Sequence, residues 1–162
     1  MSIADFFLKI DGIDGESPDA KHKNEIQLES FSWGAANHGT MQYGGGGGAG
    51  KVQFNDFNFT MKTNKAAPKL MLACANGEHI KKATLTCRKA GKEQQEFLKV
   101  DFTDLLVTSY QTGGHSSSDV IPVDQISLNF SKIEMTYKEQ KADGTLGGQT
   151  KTGYNIKENK AV

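Results

Sequence analysis

Five consecutive glycines, Gly44 to Gly48, followed by Ala49-Gly50-Lys51, constrain this chain more than any other stretch. A glycine run loses the most backbone entropy on ordering and has no side chains to pack, so it neither fills a core nor holds a shape alone. Read from Gly45, the run also matches G-x-x-x-x-G-K, the pattern of a phosphate-binding loop. Two features argue against that chemistry. Val52 stands where a Ser or Thr would hold magnesium, and the polar His38-Gly39-Thr40-Met41-Gln42-Tyr43 precedes the run in place of a buried parallel strand. Val52-Gln53-Phe54-Asn55 then alternates apolar and polar like a strand, not like the helix whose N-terminal amides would meet a phosphate. The run reads as a long arm between two strands, with a nucleotide-binding enzyme built on Gly44–Lys51 as the rival reading.

Around the arm the pattern is that of strands. Ile3 to Ile10 is predicted as the first, closed by turn residues between Asp11 and Ser17. Ile26 to Trp33 is the second, with Ile26 and Leu28 on one face, then Phe31 and Trp33 on the other. Lys51 to Lys62 changes phase in the same way, from Val52 and Phe54 to Phe57, Phe59 and Met61. Such switches mark bulges and strongly bent, closed sheets. Ala66 to Asn76 is the one predicted helix. Ala67, Leu70, Met71 and Cys74 fall at helical spacing, Pro68 suits the first turn and Gly77 the stop. Strands resume over Ile80 to Arg88, then over Glu96 to Tyr110 with a bend near Thr103-Asp104. Gln125 to Lys138 follows, switching phase between Phe130 and Ile133, and Tyr154 to Ile156 is a last short strand. Loops are expected at Gly113 to Asp119 and Asp143 to Gly148. Many short strands with one helix define an all-β barrel or sandwich, one domain over residues 1–162.

Charge and motifs exclude more than they assign. Lys plus Arg balances Asp plus Glu at 19 each, so no net field draws nucleic acid or an acidic membrane. No apolar stretch reaches transmembrane length, and the N-terminus lacks the layout of a cleavable signal. His22, His38, His79 and His115 are scattered, without ligand spacing, and read as surface residues; no metal, cofactor or catalytic residue is expected. His115, Ser116 to Ser118 and Asp119 hold the letters of a catalytic triad within one loop, where the geometry of a triad is not held. Asp11, Asp14, Glu16 and Asp19 lack calcium-loop spacing and read as turn residues. Cys74 and Cys87 read as reduced, buried thiols in helix and strand.

A glycine arm that needs a second surface to order it, beside strands apolar on both faces, points to self-association. Several blocks also resemble the haemolysin-coregulated protein (Hcp) family of type VI secretion in Gram-negative bacteria. They are Phe7 to Ser17, His22, Glu25-Ile26, Ser32-Trp33-Gly34, the GGGGGAGKV arm, Pro68 to Cys74, and Gln140 to Gly144 with Gly153 to Ile156. The resemblance runs in order along essentially the whole chain; Tyr154 stands where many members carry Trp.

The resemblance implies a compact β-barrel of two curved antiparallel sheets with a flanking helix, closing into rings of six. Such rings stack head to tail as the inner tube of a phage-tail-like injector, with sheath and spike proteins as partners, and carry small effector proteins in the lumen. The subunit would be cytoplasmic before firing and then secreted, without insertion into a membrane. The loop that bridges neighbouring subunits falls on Asn37, His38, Gly39, Met41, Tyr43, Gly44, Gly45, Gly46, Gly47, Gly48 and Gly50. In related rings the second strand faces the lumen, which places Ser30 and Ser32 against cargo. A monomeric β-barrel binding a small ligand is the further alternative.

Overall fold

The structure is a computed structural model describing residues 3–39, 51–89, 94–118 and 120–162. In chain order the elements are β1 (Ala4–Ile10), β2 (Ile26–Leu28), β3 (Ser30–Ser32), β4 (Ala35–Ala36), β5 (Gln53–Phe54), β6 (Phe57–Lys62), α1 (Ala66–Asn76), β7 (Ile80–Lys89), β8 (Glu96–Gly113), β9 (Val123–Gln140), β10 (Leu146–Asn155) and β11 (Lys160–Ala161). A nine-stranded sheet takes all strands but β4 and β5, which form a ribbon of their own. The architecture is the expected one, all-β with one short helix, but its two curved halves are one continuous sheet. Strands β8 and β9 are 18 residues each and pass through both halves. One end of β9 lies between β8 and β6, the other between β8 and β10.

The phase switches mark where strands change partner. β2 pairs with β1, Leu28 opposite Phe6, whereas β3 pairs with β6, Ser30 opposite Thr60. The handover falls on Glu29, whose N–H donates to the Thr60 carbonyl at 2.9 Å. Strands β2 and β3 are the two ends of the path β2–β1–β7–β8–β9–β6–β3 and do not pair with each other, so the barrel implied by the resemblance is not closed. In β8 and β9 the ladder skips Asp104 and Ser131 together, moving from Thr103↔Lys132 to Leu105↔Phe130. Asp104 sits at φ +52°, and the Ser131 hydroxyl donates to the Thr103 carbonyl at 3.0 Å. The kink turns Val100 and Phe102 on one side, and Leu105 and Val107 on the other, into the same core.

That core centres on Phe57, whose ring lies 4.9 Å from Phe102 and 5.8 Å from Phe59, centre to centre. Helix α1 packs on β8 and lies where the spacing put it, but turned about its axis. Ala66, Ala67, Leu70 and Ala73 are buried, Cys74 is half-buried, and Met71, expected inside, is 54% exposed. Small alanines on the contact face let the helix approach closely, and that narrow stripe excludes Met71. Asn64 caps the start, its Oδ1 accepting from Ala66 N at 2.9 Å, and Gly77 ends the helix at φ +69° with its N–H on the Ala73 carbonyl. Strand β10 is longer than expected, because its sequence, LGGQTKTGYN, carries no apolar alternation to announce it. Among the described residues no helix is long and apolar enough to cross a membrane.

Candidate functional site

The arm begins and ends on the short ribbon. Ala35 pairs with Phe54 and Ala36 with Gln53, so the chain leaves and re-enters the barrel at one place. Asn37, His38 and Gly39 follow β4 and are exposed. Met41, Tyr43, Gly44 to Gly48 and Gly50 lie outside the described residues. Lys51 is followed by strand β5, where a phosphate-binding loop would open a helix. Beside the ribbon lies an open groove of about 690 Å³ lined by Trp33, Phe54, Met135, Tyr154 and Ala161. Phe54 anchors the ribbon through Phe130 and Tyr154, with ring centres 5.9 and 6.0 Å apart.

Strand β3 presents Ser30 and Ser32 outward, while Phe31 between them turns inward onto Phe6 at 5.0 Å and Phe57 at 6.0 Å. Both serines are therefore accessible on the subunit surface. Ser30 Oγ lies 2.6 Å from Thr60 Oγ1 across the strand, and the Ser127 hydroxyl donates to Asn58 Oδ1 on the same face.

One cluster escaped the sequence reading altogether. Loop residues 11–25 cover the face of β1 and β7 that points away from the main core. Arg88 is 3% exposed there and donates to Asp5 at 3.2 Å and to both carboxylate oxygens of Asp19, at 3.0 and 2.5 Å. Its guanidinium carbon sits 4.7 Å from the centre of the Phe7 ring. His22, expected on the surface, is buried: it stacks parallel to Phe7 at 4.4 Å and meets Glu25 at 2.9 Å and Glu96 at 2.6 Å. Asp19, read as a turn residue, is thus the half-buried ion-pair partner of a buried arginine; the Arg88 hydrogen bonds pull its pKa down to about 2. Glu16 likewise reaches out of the turn to accept from Lys65 N at 2.9 Å. The available signal was that Arg88 is the sole arginine of a lysine-rich chain, the side chain suited to a buried two-pronged carboxylate contact. Every group in the cluster is paired, as a structural fastening requires.

Nothing described here assembles a nucleophile, base and oxyanion site. His115 Nδ1 and Ser117 Oγ are 2.8 Å apart, but on an exposed loop, and Asp119 lies outside the described residues. Cys87 is buried, its thiol pushed up to about 11 by burial, which makes it inert.

The fold and these surfaces define an antiparallel β structural domain with a short two-stranded ribbon beside its main sheet. Residues 7–137 match the family described as "Type VI secretion system effector, Hcp". The chain is 45% identical over 157 residues to "Protein hcp1" of Pseudomonas aeruginosa, covering 96% of each chain. Among solved structures it is similar to Hcp1 from Salmonella typhimurium, at a TM-score of 0.85 and 38% identity, over 99% of this chain and 100% of that one. It is also similar to a type six secretion system protein at a TM-score of 0.92 and 30% identity, over 98% and 99%. The chain belongs to the Hcp family of type VI secretion, whose members are structural tube proteins and not enzymes. Proteins of this family form oligomeric rings in that system.

Proposed function

We propose that this protein is a single-domain subunit of the inner tube of a type VI secretion system. Six copies close into a ring, rings stack head to tail, and the tube, assembled in the cytoplasm among sheath and spike proteins, is expelled with small effector proteins in its lumen. The observation that carries this reading is 45% identity to a family member, spanning 96% of both chains.

In this reading Asn37, His38, Gly39, Met41, Tyr43, Gly44 to Gly48 and Gly50 bridge to a neighbouring copy. The pairing of Ala36 with Gln53 supports it, since the arm starts and finishes at one place on the domain. Ordering such a segment costs roughly 1–2 kcal/mol per residue, which a large interface repeated around a closed ring offsets. Ser30 and Ser32 face the lumen and touch cargo.

The test is to replace Gly44–Gly48 with a two-residue turn and measure circular dichroism, mass and secretion. The barrel's spectrum should persist while ring stability falls or stacking is lost. A shortened variant that assembles and is secreted like the wild type would remove the arm from the account.

A further inference from the structure

The imidazole of His22 has a carboxylate at each nitrogen. Nδ1 lies 2.9 Å from Glu25 Oε2 on its own loop, and Nε2 lies 2.6 Å from Glu96 Oε1 at the start of β8. An ionised carboxylate only accepts hydrogen bonds, whereas a neutral imidazole has a single N–H to give. Both contacts are therefore satisfied by the doubly protonated ring alone. Once one proton leaves, a nitrogen lone pair faces a carboxylate oxygen at hydrogen-bond distance, with His22 only 7% exposed to water.

The groups packed around the ring fit its charged form. Arg88 of β7 lies over the same Phe7 ring on which His22 stacks. Asp19 of the loop and Asp5 of β1 are both bonded to Arg88. With His22 charged, two cations stand among four carboxylates; with it neutral, Arg88 is the one cation among them. Of loop residues 11–25, only Ile13 belongs to the main core. Polar ties hold the loop beyond it: Arg88 to Asp19, Glu16 to Lys65 N, and His22 to Glu96. The guanidinium does not discharge in a protein, so His22 is the tie that a rise in pH undoes.

We infer that His22 is a doubly protonated pin between loop 11–25 and β8, and that loss of one proton releases the loop while the sheet stays folded. The pin holds while the ring is charged and is lost as pH rises through the ring's own titration, the reverse of a carboxylate tie. Release uncovers Phe7 and Arg88, which lie outside the main core, so a change of pH alters the surface of this domain without unfolding it.

Lys21 and Lys23, both exposed, flank His22 and give trypsin two cleavage sites that read the state of the loop. The full-length protein is digested between about pH 6 and about pH 9.5, a range in which carboxylates stay ionised. Rates are normalised to the same segment as a free peptide, and the His22 ring nitrogens are followed by NMR over the same range. Below the transition both nitrogens should carry hydrogen. Above it one should, and cleavage after Lys21 and Lys23 should rise about tenfold at the same midpoint. In Glu96→Gln the new amide can donate to the bare nitrogen of a neutral ring, so this loop should stay protected throughout. A ring with one N–H wherever the loop is protected, or wild-type cleavage that does not change with pH, would overturn the inference. So would a Glu96→Gln protein whose loop opens as the wild type's does.

Discussion

Arg88 of β7 grips Asp19 of the covering loop with both prongs of its guanidinium, Nη1 on Oδ1 at 3.0 Å and Nη2 on Oδ2 at 2.5 Å. The pair fastens a loop of few apolar residues to the back of a two-strand ridge. Removing Asp19 takes the two-pronged partner from the buried Arg88 and leaves it the single contact with Asp5. Asp19→Ala should therefore destabilise the fold by about 2–4 kcal/mol in urea denaturation. A loss below the error of the measurement would show that Asp5 alone satisfies Arg88.

The same pair sets an acid limit. Arg88 holds the Asp19 carboxyl down to about 2, below its usual 3.8. A depressed folded-state pKa contributes stability that is complete above the unfolded value and lost as pH falls from about 4 to about 2. Glu134, held below its usual range first by Lys132 and also by Lys151, acts with the same sign. Asp19→Asn should be less stable than wild type at neutral pH, and the two should converge as pH drops through that window. Parallel curves would contradict the assignment.

Gly15 marks a close backbone approach. A Cβ there would lie 2.5 Å from the Glu25 carbonyl oxygen and 2.7 Å from Ile26 Cα, both backbone atoms that cannot swing aside. Gly15→Ala should cost about 1–3 kcal/mol by overpacking. Gly148, where nothing stands within 4 Å and φ is ordinary, should accept alanine without loss. Thermal melts at one protein concentration compare the two; equal midpoints would contradict the described loop.

The rival use of the glycine run is open to direct assay. With Val52 in place of a magnesium-binding hydroxyl and strand β5 after Lys51, titration with ATP or GTP and magnesium should release no heat. Lys51→Ala should titrate like the wild type. Micromolar affinity abolished by that substitution would reinstate the enzyme reading.

The elements that rest on local pattern were legible in the sequence. Pro68, Gly77 and the spacing between them set α1 to the residue, and the apolar phase changes located the kinks at Glu29, Asp104 and Ser131. What stayed hidden depends on contacts between distant segments. The burial of His22 and Arg88 arises only when loop 11–25 folds over β1 and β7, so nothing near either residue announces it. Met71 looked internal because periodicity finds an apolar face but not its width, which the alanines facing β8 decide. Strand β10 is formed by its ladder with β9 and not by its own residues. The facing of Ser30 and Ser32 needed Phe31's inward turn to fix it.

The central claim is that the folded subunit exists as a closed ring, and the solution mass of the purified protein tests it most directly. Light scattering coupled to size separation should give about six times the 17.6 kDa of one chain, without dependence on concentration over the working range. A mass of 17.6 kDa that persists as the protein is concentrated would contradict it.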